Sequence, residues 1–122
     1  MTIAFHSARQ LASLIRRKKI GCLELLDHYL ARIERYNPKL NAIVVTDFDA
    51  ARKQAKTLDR AAAKDKWRGP LHGVPMTIKE SFDAVGMPTT WGLKQFKENF
   101  PQRDAVALER LKSAGAVLMG KT

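Results

Sequence analysis

This 122-residue sequence predicts an α/β fold, a mixed sheet with helices on its faces. Three observations carry the prediction. Four segments repeat apolar residues at helical spacing. Short apolar, β-branched runs at Val74 to Ile78 and Val117 to Met119 alternate with them and read as buried strands. No internal repeat, low-complexity tract or linker interrupts the alternation, and a hydrophobic content of 45% allows one core.

The elements follow in order. Ser7 can cap a first helix whose apolar positions are Ala8, Leu11, Ala12 and Ile15. Cys22, Leu25, Leu26, Tyr29, Leu30 and Ile33 form a stronger amphipathic stripe, expected to end before Asn37-Pro38 because a residue preceding proline is pushed out of the helical region. Leu40 to Thr46 reads as a short strand. A third helix carries Phe48, Ala51, Ala55, Leu58 and Ala62, with Thr46 and Asp49 in capping-box positions. It fades into Lys64-Asp65-Lys66, ahead of Trp67 and a turn at Gly69. A long loop then leads to a fourth helix capped by Asp104, running through Ala107, Leu108 and Leu111 and stopped by Gly115. Residues 1–66 are thus mainly helical, and 67–122 form a strand-loop-helix-strand segment.

Composition excludes some function classes. No apolar run approaches the roughly 18 residues of a membrane span, and the N-terminus lacks the continuous apolar stretch of a signal peptide. A single cysteine, Cys22, rules out an internal disulfide and is compatible with a reducing cytoplasm, the expected location. Cys22 opens a periodic helix and reads as a helix-start residue rather than a nucleophile. The net charge of +10, from 22 basic and 12 acidic residues, raises the question of nucleic acid. Its densest run, Arg16-Arg17-Lys18-Lys19, sits where a helix C-terminus favours cations. The other bases are scattered and no aromatics interleave with them, so no nucleic-acid partner is expected.

Three other signals are weak. Gly115-x-x-x-x-Gly120-Lys121-Thr122 matches the phosphate-loop pattern, but its middle residues, Ala116 to Met119, are an apolar strand-like run, and no helix follows within the sequence. His6, His28 and His72 show no metal-ligand spacing, His72 reading as a turn residue; no metal and no cofactor are expected. Lys79 and Ser81 stand two apart and would share a face on an extended strand, although Ser81 reads better as a strand-end residue.

The most informative stretch is Gly69-Pro70-Leu71-His72-Gly73-Val74-Pro75-Met76-Thr77-Ile78-Lys79-Glu80-Ser81. Two glycines and two prolines punctuate the backbone, and an apolar strand then delivers one lysine. A cation on a buried strand is paired, reaches water, or loses its charge, and a neutral lysine is a base. Adjacent strand residues face opposite ways, so Glu80 is a poor direct partner for Lys79.

From Gly69 to Thr122 the sequence resembles the amidase-signature hydrolases. Their N-terminal half carries a G-P-L-x-G-[IV]-P-x-x-[IV]-K block, followed by a segment matched by Gly86-Met87-Pro88-Thr89-Thr90-Trp91-Gly92 and a strand matched by Gly115 to Thr122. Leu23 to Asn37 and Pro38 to Ala42 are similar to the helical start of these enzymes. Glu80 stands where many members have aspartate, which keeps the charge. The resemblance implies the N-terminal part of an amidase-signature fold, incomplete in this chain. It also implies Lys79 as catalytic base for a nucleophilic serine, acting through a bridging serine on a small-molecule amide. Both family serines lie downstream in a Gly/Ser-rich stretch. Ser7, Ser13, Ser81 and Ser113 are in no such context, so the chain is expected to supply the lysine only. An ordinary lysine, with a pKa of about 10.4, is neutral in only about one molecule in 2,500 at pH 7. Burial behind Val74, Met76 and Ile78 is the expected device for lowering it. Two alternatives stand beside this reading: an inactive remnant serving as an interaction module, and a basic nucleic-acid-binding protein. Open sheet edges predict possible self-association.

Overall fold

Strand β3 (Val117–Lys121) is the centre of a three-stranded mixed sheet of order β1-β3-β2, in a computed structural model that describes residues 2–122. β1 (Val45–Thr46) runs antiparallel to β3 and β2 (Pro75–Ile78) parallel to it. Four helices complete the fold: α1 (Ala8–Arg16), α2 (Cys22–Leu40), α3 (Phe48–Ala63) and α4 (Val106–Ser113). Short 3-10 turns cover Ile3–Phe5 and Lys94–Phe96. Among the described residues no helix is long and apolar enough to cross a membrane.

The sheet divides two cores. On one face Leu11 and Ile15 of α1, Leu25, Leu26 and Leu30 of α2, and Ala51, Ala55 and Leu58 of α3 pack with Val74, Val117 and Met119. On the other, Leu108 of α4 joins Ile78, Leu118, Ala84 and Met87. The expected mixed sheet with helices on its faces is therefore present. All five residues of β3 are buried, and the strand runs two residues beyond the apolar run that announces it. Of the fourth-helix stripe, only Leu108 is fully buried.

Local chemistry sets the helix boundaries. Ser7 accepts the Gln10 amide at 3.3 Å while Gln10 Oε1 accepts the Ser7 amide at 2.7 Å, a complete capping box. α2 begins at Cys22, as expected, but its cap comes from α3: the Asp59 carboxylate accepts the amides of Cys22 (2.6 Å) and Leu23 (3.0 Å). Contrary to expectation, α2 continues through Asn37-Pro38 to Leu40. Pro38 falls in the last turn, where its missing amide leaves only the carbonyl of the exposed Glu34 without a helical partner. Asn37 then ends the element. Its Oδ1 accepts the amides of Ala42 and Ile43, its Nδ2 donates to the Ile43 carbonyl, and Asn41 turns left-handed at φ 48°. Those bonds occupy groups a longer strand would pair, so the strand expected over Leu40 to Thr46 shrinks to Val45–Thr46.

Two expected caps are corrected. α3 is capped by Asp47, which accepts the Ala50 amide at 3.0 Å, because Thr46 is held in β1 opposite Gly120. α4 has no side-chain cap. Asp104 instead accepts the Val85 amide at 2.8 Å and pairs with Lys112 at 2.8 Å, tying the long loop to the helix.

The basic run closes the end of α1. Lys18, at φ 56°, pairs with Asp65 at 3.0 Å, and the Arg16 guanidinium lies 4.7 Å from the centre of the Trp67 ring.

Candidate active site at the ends of strands β2 and β3

The turn before β2 is wedged against the turn before β3. Gly115 has φ 99°, and a Cβ there would lie 2.6 Å from the Cα of His72; Gly69 has φ 129°, with the Ala114 carbonyl equally close. The contact is sealed by backbone bonds from Leu71 to Ala114 (2.8 Å), Gly73 to Gly115 (2.9 Å) and Val117 to Val74 (2.9 Å). These bonds put β2 beside β3 in a fixed register.

His72 is more than a turn residue. Nδ1 accepts the Arg68 amide at 2.9 Å, which leaves Nε2 to donate to the Leu58 carbonyl at 3.0 Å. Both nitrogens are committed in the neutral ring, the Trp67 ring stands edge-on to it, and burial lowers its pKa.

Lys79 lies one residue past β2. Thr122 grips the chain on either side of it: the Thr122 amide donates to Ile78 (2.8 Å) and the Glu80 amide to the Thr122 carbonyl (2.6 Å). The Lys79 side chain is exposed, which corrects the expectation of burial behind Val74, Met76 and Ile78. Ile78 takes the buried side, alternation turns Lys79 to the other, and β2 lies at the edge of the sheet. Ser81 sits in the following turn, and among the described residues no hydrogen bond joins it to Lys79.

The fully buried lysine is Lys121, which entered the sequence reading only through the phosphate-loop pattern. It pairs with Ile78 across the sheet, and an irregularity in the β2–β3 register between Met76 and Thr77 turns it to the face of Leu118, three residues earlier. Its Nζ donates to the Pro88 carbonyl at 2.8 Å and to Thr89 Oγ1 at 3.1 Å. Burial lowers its pKa, while the carboxylates of Glu80 and Asp83 oppose the shift. Because β3 is a strand whose final lysine is enclosed, the Gly115 to Thr122 pattern does not form a phosphate loop here.

Glu80 does not turn to Lys79. Its carboxylate accepts the Thr90 amide (2.9 and 3.1 Å to its two oxygens), the Thr90 hydroxyl and the Trp91 amide (3.2 Å). Burial alone would raise its pKa, but these bonds and the Lys121 charge outweigh burial and hold it below the usual value. Beside this cluster opens a cavity of about 350 Å³ lined by Ser81, Asp83, Thr89, Trp91, Phe96 and Asn99. Among the described residues no group of three His, Cys, Asp or Glu side chains could hold a metal. The sequence missed the roles of Glu80 and Lys121. The available signal was the pairing of strand-end charges with the polar Thr89-Thr90 step.

Comparison with known proteins gives one consistent result. The profile of the family described as Amidase matches residues 24–122. The chain is 38% identical to the human (Homo sapiens) fatty-acid amide hydrolase 2, over 95% of this chain and 23% of that protein. It is 35% identical to an acylamidase of Rhodococcus erythropolis, over 95% of this chain and 24% of that one. The solved structure of a peptide amidase from Stenotrophomonas maltophilia superposes with a TM-score of 0.88 at 34% identity, covering 98% of this chain and 25% of that one. The chain spans about a quarter of the length of the relatives it matches.

Proposed function

The chain belongs to the amidase family, and from that premise we propose that it is the lysine-bearing N-terminal part of a hydrolase that cleaves small-molecule amides. Lys79 is the base in this reading. As the neutral amine it takes a proton, through a bridging serine, from a nucleophilic serine. The nucleophile attacks the amide carbonyl, and the proton held by the lysine returns through the bridging serine to the nitrogen as the C–N bond breaks and the amine leaves. Water, giving a proton to the lysine by the same route, then attacks the acyl group, which departs as the acid while that proton restores the serine hydroxyl. Backbone amides hold the oxyanion in both steps. The serines come from sequence downstream of the aligned region, so this segment contributes the base and its mounting.

The observation that carries the reading is the mounting of Lys79 at the end of β2. The matched block ends on it, bonds from Thr122 to Ile78 and Glu80 fix the backbone on either side of it, and among the described residues no hydrogen bond or ion pair engages its amine. Packing of further chain over the β2 edge would also provide the desolvation that an amine needs to act as a base near neutral pH.

The test is reconstitution. Combined with a second chain bearing the serine-rich region of a relative, the protein should hydrolyse a chromogenic anilide, and Lys79→Ala should lower kcat by about a hundredfold or more. The 122-residue chain alone should match buffer. Turnover by this chain alone, or a reconstituted enzyme indifferent to Lys79→Ala, would overturn the assignment.

A further inference from the structure

We propose that Glu80 is a positioning residue, clamping the Thr90-Trp91 turn onto the strand end that carries Lys79, with Lys121 holding the same loop from β3. The proposal rests on the reading of Lys79 as the base and adds the device that fixes its surroundings.

The two charged side chains divide the loop between them by hydrogen-bonding type. The Glu80 carboxylate takes donors: the Thr90 amide, the Thr90 hydroxyl and the Trp91 amide. The Lys121 ammonium takes acceptors: the Pro88 carbonyl and Thr89 Oγ1. Strand-end groups of opposite charge therefore grip consecutive residues 88–91. Bonds to ionised groups are about twice as strong as neutral ones, and truncating the carboxylate takes that acceptor from the part-buried Thr90 amide and hydroxyl at once.

The loop needs such a grip. Trp91 has φ 54°, a left-handed conformation costly for a bulky side chain, and it is 72% exposed, so packing does not hold it. The turn is fixed locally by the Glu80 bond to its amide, the Gly92 amide bond to Thr90 Oγ1 (3.1 Å) and the Leu93 amide bond to the Thr90 carbonyl (2.9 Å), and of these the Glu80 bond alone ties it to the strand end. Behind it, Thr89 and Asn99 exchange two bonds, at 2.9 and 2.8 Å, closing the loop on itself. Trp91 thus stands at the rim of the 350 Å³ cavity, while the Glu80 backbone is the residue next to Lys79. One carboxylate connects the rim to the base. The charged group facing it is Lys121, which is covered and which in turn feels Asp83 on the exposed turn.

The test uses amide hydrogen exchange and chemical shifts on the intact chain. Glu80→Gln keeps the shape but presents an amide where a carboxylate accepts three donors. The exchange protection of Thr90 and Trp91 should fall at least about tenfold, while Val117 and Leu118 in the core keep theirs. A packing role would survive this isosteric change, so retained protection overturns the clamp. Should Glu80→Gln fail to fold, the unmodified chain decides: the Thr90 and Trp91 amide shifts must titrate together with the Glu80 carboxyl at acid pH. Shifts that ignore that titration overturn the proposal. In the reconstituted enzyme, Glu80→Gln should lower kcat by up to about a hundredfold with KM little changed. Loss of the clamp with kcat unchanged would sink the positioning role and leave Lys79 as base. A parent enzyme with no turnover would instead sink the functional reading, and the exchange and titration results would still decide whether the clamp exists.

Discussion

The two faces of the sheet are held by different physics. The face covered by α1, α2 and α3 is an apolar core whose enclosed polar groups, His72 and Cys22, are neutral. Burial, aided by the Asp59 carboxylate, pushes the Cys22 thiol up to about 12. The opposite face has a smaller core, and beyond Ile78 it ends in charged groups, Lys121 and Glu80, that organise a loop. The first face supplies stability; the second uses part of its burial to hold backbone in a strained shape. The residue that the family resemblance singles out, Lys79, belongs to the second region by sequence yet points away from its core.

The largest expected effect breaks the first region. Leu25 is fully buried between helices and sheet, so Leu25→Ala should cost about 2–5 kcal/mol, measured as a lower urea midpoint with an unchanged slope. A cost below about 1 kcal/mol would mean that the helical face is not the main source of stability.

Next comes the second region. Lys121→Ala removes the only side-chain donor to the Pro88 carbonyl among the described residues, leaves Glu80 without its counter-charge and opens a cavity. The expected loss is about 1–3 kcal/mol, with disorder confined to residues 88–99 in exchange measurements. Equal disorder in α2 would show that the two faces are one unit.

Legibility in the sequence follows the same division. The apolar stripes of Leu11 and Ile15, of Leu25, Leu26 and Leu30, and of Ala51, Ala55 and Leu58 are periodic patterns, and the structure buries them as read. The Ser7 cap is local and equally readable. What sequence spacing does not reveal is a side chain acting at a distance or over neighbouring backbone. Asp59 caps a helix start 37 residues away, Asn37 substitutes for strand pairing, and Glu80 collects amides ten residues on. The exposure of Lys79 is hidden from the sequence for a related reason: an apolar strand shows that one side is covered, and only the arrangement of neighbours shows which.

Acid should separate the regions in two stages. The His72 pKa is lowered by burial, so its contribution is fully present above the unfolded value of about 6.5 and is lost as pH falls below it. The Glu80 and Asp104 pKa values are lowered too, and their contributions disappear only as pH falls below the ordinary carboxylate range and through the folded values. Thermal melting at about pH 7.5, 5.5 and 3.5 should therefore show a first decrease that His72→Gln removes, and a second that it does not. A single loss confined to the lowest pH would mean that His72 charges without consequence.

The smallest expected effect on stability is at Lys79 itself. Its side chain is exposed and makes no ion pair among the described residues, so Lys79→Ala should change stability by no more than about 0.5 kcal/mol. Reactivity should show the contrast with Lys121 more sharply than stability. An amine-directed reagent at a pH where the chain is folded should modify Lys79 at a rate comparable to the surface lysines Lys19 and Lys64, and leave Lys121 unmodified until the chain unfolds. When the serine-bearing region is added, Lys79 should become slow to react if that region covers the β2 edge. Protection of Lys79 in the chain alone would contradict the exposed position derived from strand alternation. Persistent reactivity in the reconstituted enzyme would remove the desolvation on which its role as a base depends.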